Sequence, residues 1–324
     1  MTGQFAVAQD PQFSQYYANQ VWLSPAFAGA HEHMRVAMNF RAQWPGVGAD
    51  FYKTFATSFD TPINIGPTHH GVGATIAVDQ AGRGNLTKVD FLANYAYSFF
   101  LPGDRSAIRL GLAFGLQQAS IDYSKLKFPD QFQANGTTIL SRTGENLNQS
   151  EARVNEEIGV GALYYSNWMW AGVDARHITM PRQIFLRPEF GGDAATLPIR
   201  LSAYTGFRFP FVRNDYTKTI SPSLMFRWQR PFVQVDFMTY INWEPIVFGL
   251  GYRVLSGGAG PGDAIIGLIG FHRGMFRFGY SYDFTISNLT VAASGGSHEV
   301  SLIVEIERQG RKRSPKVKMS CPKF

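Results

Sequence analysis

The sequence predicts an all-β chain, a transmembrane antiparallel β-barrel of about 14 strands preceded by an ordered N-terminal segment. Three observations carry this reading: alternation, segment length and the pattern of connections. In Met275 to Phe284, MFRFGYSYDF, the residues Phe276, Phe278, Tyr280, Tyr282 and Phe284 alternate with Arg277, Gly279, Ser281 and Asp283. Successive side chains of a strand point to opposite faces, so this stretch has one aromatic wall and one polar wall. Ala107 to Gln117 repeats the design, with Ile108, Leu110, Leu112, Phe114 and Leu116 set against Arg109, Gly111, Ala113, Gly115 and Gln117. A soluble β-sandwich also alternates, but its strands cluster near about 5 or 6 residues, whereas bilayer-crossing strands need roughly 9 to 11. Most segments here are long.

Taken in order, residues 1–8 end in Ala6-Val7-Ala8, which fits the small-x-small pattern before a signal-peptidase cut and would leave Gln9 as the first mature residue of an exported protein. Residues 9–33 contain aromatic side chains but no strand-length alternation, and Pro25 interrupts them, so they read as an ordered irregular segment. Residues 34–307 supply the strands. The first half gives Met34 to Gln43, Phe51 to Asp60, His70 to Asp79, Lys88 to Phe99, Ala107 to Gln118, Arg153 to Tyr165 and Trp168 to His177. The second half gives Ile199 to Phe209, Thr219 to Trp228, Phe232 to Ile241, Ile246 to Leu255, Ala264 to His272, Met275 to Phe284 and His298 to Glu307. Residues 308–324 form a basic tail.

Odd-numbered connections include the long stretches Ser120 to Ala152, Ile178 to Pro198, Ser256 to Asp263 and Thr285 to Ser297. Even-numbered ones are tight, as at Leu101 to Arg105, Ser166-Asn167, Asn242 to Pro245 and Arg273-Gly274. Outer-membrane barrels have short periplasmic turns and long outside loops, so both termini are expected in the periplasm. Arg230-Pro231 should be an outside loop and is short. Phe99, Phe100, Trp168, Trp170, Trp228 and Trp243 sit near segment ends, where they are expected to form the aromatic girdles of the bilayer interface.

Composition agrees. Only 17% of the 324 residues are charged, while 15% are aromatic and 33 are Gly; soluble domains are about a quarter charged. No run of about 18 apolar residues exists, so no helical span is expected. A mean hydropathy of −0.12 is what a barrel gives when every second residue is polar. The lone Cys321 excludes an intramolecular disulfide framework. The net charge of +6 is local: seven of the 30 Lys and Arg lie between Arg308 and Phe324, leaving 23 basic against 24 acidic residues elsewhere. No nucleic-acid partner is therefore expected, and the tail, with Arg311, Lys312, Arg313 and Cys321, reads as a solvated periplasmic extension.

No catalytic constellation appears: there is no Gly-x-Ser-x-Gly elbow, no His-Glu-x-x-His and no phosphate-binding loop. Gly-Val-Gly-Ala runs beginning at Gly46, Gly71 and Gly159 do not open onto helices, so they read as points of bending or close approach in or beside strands. His31-Glu32-His33 and His69-His70 lack an evident third ligand, and Glu156-Glu157 point to opposite strand faces. Arg109, Arg277 and Asp283 fall on the lumen face, where they meet water or one another and brace the wall. The expectation is a protein with no enzymatic activity, no cofactor and no metal.

The ends of the chain carry a resemblance. QDPQFSQYYANQVWLSPAFAG from Gln9, GYSYDFTISNLTVAASGGSHEVSL from Gly279 to Leu302, and the ending Cys321-Pro322-Lys323-Phe324 resemble the opening, the closing hairpin and the finish of PorP/SprF proteins of the type IX secretion system of Bacteroidota. Asn19-Gln20 and Ser24-Pro25 stand where that family usually has Asn-Pro pairs. The resemblance implies an outer-membrane barrel linked to secretion and gliding that holds a secreted protein with a type B C-terminal domain at the cell surface. Implied partners are that protein, the periplasmic ring and motor components, and outer-membrane lipid. On this reading the N-terminal segment closes or docks against the lumen, through Gln9, Asp10, Pro11, Gln12, Phe13, Ser14, Gln15, Tyr16, Pro25, Phe27 and Gly29. The alternatives are a fatty-acid-transporter-like barrel moving a hydrophobic ligand, and a soluble secreted β-protein.

Overall fold

The computed structural model describes residues 10–48, 51–65, 67–82, 84–103, 105–127, 131–132, 150–181, 196–212, 215–256, 262–287 and 290–307. Gln9, Arg311, Lys312, Arg313 and Cys321 lie outside them, as do most of the two longest connections.

The strands are β1 (Met34–Gln43), β2 (Tyr52–Ile65), β3 (Thr68–Ala81), β4 (Leu86–Phe100), β5 (Ser106–Asp122), β6 (Ser150–Ser166) and β7 (Met169–Arg176). They continue with β8 (Arg200–Phe207), β9 (Phe209–Val212), β10 (Asp215–Gln229), β11 (Phe232–Trp243), β12 (Ile246–Ser256), β13 (Ala264–Arg273), β14 (Phe276–Thr285) and β15 (Ser297–Ile306). Each is antiparallel to its neighbour, and β15 pairs with β1 from Met34↔Ile306 to Gln43↔Ser297. That pairing closes the sheet, so no backbone edge is left open around the ring.

Fourteen strands form the ring. The segment expected as one strand over Ile199 to Phe209 breaks at Arg208, and the short β9 beyond it pairs only with the start of β10, outside the ring. Pro210 lacks a ladder donor, and the register shifts between Asp215 and Thr219, which ends regular pairing there. Gln229 and Phe232 pair directly across Arg230-Pro231, so that connection is a two-residue hairpin on the rim of long connections.

Alternation resolves in the direction of a membrane barrel. On β5, Leu112 and Phe114 are 58% and 60% exposed, while Arg109 is 3% exposed. On β14, Phe276, Phe278 and Phe284 face outward and Arg277, Ser281 and Asp283 are buried. A sandwich would bury the aromatic side; here the apolar wall faces out and the polar wall in. Trp168, Trp228, Trp243 and Phe99 lie on the outer surface near strand ends. Trp170 and Phe100 do not join them: Trp170 is fully buried facing inward, and Phe100 packs against the inner core. The inner wall is also not polar throughout, because Leu163, Tyr204, Met225, Met238, Tyr240, Val247, Ile266 and Ile303 form an apolar cluster inside the ring.

Candidate functional site

The inner cluster needs an apolar partner, and residues 10–30 supply it. Phe13, Tyr16, Tyr17, Val21, Trp22, Leu23 and Phe27 are each buried to 6% exposure or less. Side chains of this kind gain about 1.5–3 kcal/mol each from leaving water. Short local devices shape the segment. The side chain of Asn19 accepts from the Trp22 N–H at 3.3 Å and starts α1 (Gln20–Leu23), a single helical turn. Ser24 likewise caps the 3-10 turn Pro25–Phe27, where Pro25 occupies a first position that needs no donor.

The segment starts at the rim of long connections, where Asp10 meets His177, Arg200 and Gln229. It descends past Ser14 to Tyr17, whose hydroxyl accepts from Trp170 Nε1 at 2.9 Å near the rim of short turns. After α1 it crosses β6, β5 and β3 in turn and leaves beside Asp60 to begin β1. The described chain therefore begins at one rim, while β15 ends at Ile306 on the other. The even strand count puts the start of β1 and the end of β15 together, and residues 10–30 thread the ring from the other rim; the termini themselves lie outside the described residues.

The wall grips the main chain of this segment as well as its side chains. Arg35 donates to the Ala18 carbonyl at 2.7 Å, Arg176 to Trp22 at 2.5 Å, and Arg109 to Ala26 at 2.9 Å and to Ala28. Glu299 accepts from the Ser14 and Gln15 N–H groups at 2.7 and 3.0 Å, and Asp60 accepts from Gly29 N–H at 2.9 Å. Buried backbone groups must be paired, and here charged wall residues pair them with stronger, charge-assisted bonds.

Glycines make room for this approach. A β-carbon on Gly71 would stand 1.8 Å from the Ala28 carbonyl oxygen, one on Gly111 2.2 Å from Ala26 N, and one on Gly161 2.3 Å from Ser24 Oγ. All three positions face inward on β3, β5 and β6, forming a bed on which residues 24–28 lie. Gly29 then turns with φ +61°, against Gly71 and Thr61.

Two ionic clusters anchor the upper part. Arg41 pairs with Asp283 at 2.7 Å and Glu299 at 3.3 Å, and Arg253 with Asp236 at 2.8 Å and Asp283 at 3.1 Å. Ser14 Oγ lies between them, donating to Asp283 at 2.7 Å and accepting from Arg41 and Arg253. At the rim, His177 lies between Asp10 at 2.6 Å and Glu157 at 2.7 Å. Burial disfavours its charged form, but these carboxylates outweigh burial and push His177 up to about 9. Burial likewise acts to raise Asp10, yet His177, Arg200 and Lys88 hold its carboxyl well below the usual range.

Of the residues singled out in the sequence, Asp10, Phe13, Ser14, Gln15, Tyr16, Pro25, Phe27 and Gly29 lie in this interior contact, and Pro11 and Gln12 face a cavity at the rim. Arg109 and Asp283 touch the segment; Arg277 does not, and pairs with Glu305 of the adjacent strand at 2.6 Å. His31 contacts Gln20 at 2.5 Å, and His70 contacts Tyr95 at 2.7 Å. Sequence reasoning missed Arg35, Arg41, Asp60, Arg176, His177, Arg200, Arg253 and Glu299. Their signal was present, since each is a charge on or beside the polar face of an alternating segment. Their common target was not.

A model of the family described as type IX secretion system membrane protein PorP/SprF matches residues 6–304. The chain belongs to the PorP/SprF family. No curated protein matches it. Among solved structures, this PorP/SprF barrel is similar to the P. putida toluene transporter TodX, at 9% identity over 88% of this chain and 93% of that one, with a TM-score of 0.46. It is also similar to the CymD monoaromatic hydrocarbon channel, at 10% identity over 90% and 93%, with a TM-score of 0.45. A mutant porin of Rh. blastica is similar at 8% identity over 85% and 99%, with a TM-score of 0.37. As a PorP/SprF protein with an outer-membrane-type barrel, the chain is a membrane component that acts with other parts of the type IX secretion system.

Proposed function

We propose that this PorP/SprF barrel is a non-enzymatic, self-closed docking platform in the outer membrane. Its rim of long connections receives a secreted protein with a type B C-terminal domain, and its rim of short turns faces the periplasmic ring and motor components. The observation that carries this reading is the occupied interior: residues 10–30 are buried within the ring and tied to it by charged side chains. A barrel closed by its own chain suits holding and display better than free diffusion. Long connections lie outside in outer-membrane barrels, so β15 ends toward the periplasm and Asp10 sits at the outer mouth. On this reading Arg311, Lys312, Arg313 and Cys321, outside the described residues, are offered to a partner on the periplasmic side.

The reading as a carrier of hydrophobic ligands calls for an apolar chamber. The cavity at the rim has Trp44, Leu86 and Leu255 on its wall but sets six charged side chains, Asp10, Arg41, Asp79, Lys88, Arg253 and Asp263, among them, which favours the docking reading. The test is a detergent-solubilised pull-down of the tagged protein from native outer membranes, with mass spectrometry of what co-purifies. Recovery of a secreted protein bearing a type B C-terminal domain supports display. Ring components alone would make it a machine part, and a barrel that comes down alone would return the transporter reading.

A further inference from the structure

The cavity at the rim of long connections has a volume of about 450 Å³, within the range of sites for small ligands. Six ionisable side chains line it, and each has a direct partner or lies in the field of one. Arg41 and Arg253 are each held by two carboxylates. Asp10 is held by His177 and Arg200, Asp79 accepts from Thr54 at 2.6 Å, and Asp263 lies in the field of Arg253. Lys88 differs. Its side chain lines the cavity, the residue is 4% exposed, and its Nζ has no hydrogen-bond partner among the described residues. A buried ammonium that faces carboxylates but makes no hydrogen bond has donors left to offer, and a ligand oxygen or a water can take them.

A second feature lies on the same cavity. Trp44 lines it with φ 57° and ψ 52°, a left-handed backbone that a bulky residue takes only when its surroundings enforce it. Its N–H donates to Gly296 at 2.9 Å, and its ring meets Tyr52 edge to face at 5.7 Å. Strain of this kind is held at sites where a side chain must be presented in one direction. The cavity thus has a cation in its wall, an aromatic pair at its lip, and the amides of Gln12 and Gln43 beside them.

We propose that this cavity binds a peptide carboxylate. Lys88 takes the carboxylate, Gln12 and Gln43 pair with the adjoining peptide unit, and Trp44 with Leu86 and Leu255 covers an aliphatic side chain. A singly charged group fits better than phosphate, because Asp10 and Asp79 stand beside Lys88 and oppose a second negative charge. A peptide fits better than a uronic acid, because the leucines offer an apolar surface that a sugar ring edged with hydroxyls does not use. The site goes beyond the docking reading and is independent of whether a secreted partner is recovered.

The test is calorimetric titration of the purified full chain in detergent with N-acetyl-alanyl-leucine, as the free acid and as its carboxamide. The acid should bind saturably and the amide at least tenfold more weakly. Lys88→Met should abolish the difference between them, and Lys88→Arg should keep it. If Lys88→Met does not fold, Gln43→Ala gives a second measure, lowering affinity for acid and amide alike. Equal binding of acid and amide to the unaltered chain, or no saturation by either, overturns the proposal. Binding of glucuronic acid or inorganic phosphate with loss in Lys88→Met, where the peptide acid shows none, overturns the peptide assignment.

Discussion

Gly71 and Ala28 meet backbone to backbone, so close that a β-carbon on Gly71 would stand 1.8 Å from the Ala28 carbonyl oxygen. Any side chain at position 71 must push residues 28–29 off the wall. Gly71→Val is therefore expected to cost about 1–3 kcal/mol or more through overpacking, and to cost little once residues 10–29 are removed. A double-mutant comparison by thermal unfolding checks this. A Val penalty that survives removal of the segment would show that the cost lies within β3 itself.

Arg109 spans two carbonyls, Ala26 and Ala28, and also donates to Ser98 at 2.5 Å. Bonds from a charged group contribute about 1.5–3 kcal/mol, so Arg109→Met should loosen residues 24–30 by a comparable amount. Lys is expected not to rescue, since its single ammonium cannot reproduce a planar fork. Hydrogen exchange of those amides reads the effect directly; protection equal to the unaltered chain would refute it.

The His177 cluster predicts a pH dependence. The folded value of about 9 lies above the ordinary value for His. Its contribution is thus fully present below pH 6.5 or so and is lost as pH rises through about 9. As His177 loses its charge, Asp10 and Glu157 lose their shared cation, and Asp10 is left to Arg200 and the field of Lys88. The rim end of the segment should become more protease-sensitive between about pH 8 and 10, and His177→Gln should be sensitive throughout. A flat profile in the unaltered chain would contradict the assignment.

Removing Gln9 to Gly29 is expected to raise single-channel conductance in planar bilayers. The segment is held by Arg35, Arg109, Arg176, Asp60 and Glu299, which its removal would leave facing an emptied interior. Unchanged conductance would end the idea that the segment closes the barrel.

The two ends of the described chain lie at opposite rims. An epitope inserted before Asp10 should be reached by antibody on intact cells, whereas one after Glu307 should need a permeabilised outer membrane. The reverse pattern would invert the proposed orientation.

Much of the barrel was legible because membrane strands are written in period two. Leu110, Leu112 and Phe114 against Arg109, Gly111 and Ala113 give segment, length and face at once. The split at Arg208 was not legible, since β9 continues the same extended pattern and only its pairing with β10 distinguishes it. Trp170 was misread for a similar reason. A Trp near a strand end looks the same whether it faces lipid or, as here, donates to Tyr17 inside the ring.

By itself the sequence determined the ring: alternation, which is local, marks the strands, and their length with the pattern of connections turns the apolar face outward. Only the tertiary structure decided what fills the ring. Arg35, Arg109 and Arg176 lie far apart in sequence, on β1, β5 and β7, and converge on one segment because closure points their side chains toward one axis. The nearest partners of Gly71 and Gly111 are backbone atoms of Ala28 and Ala26, which carry no residue identity for a sequence to display. The rim at which the described chain begins was likewise fixed by the path of residues 10–30 through the interior, which strand parity does not constrain.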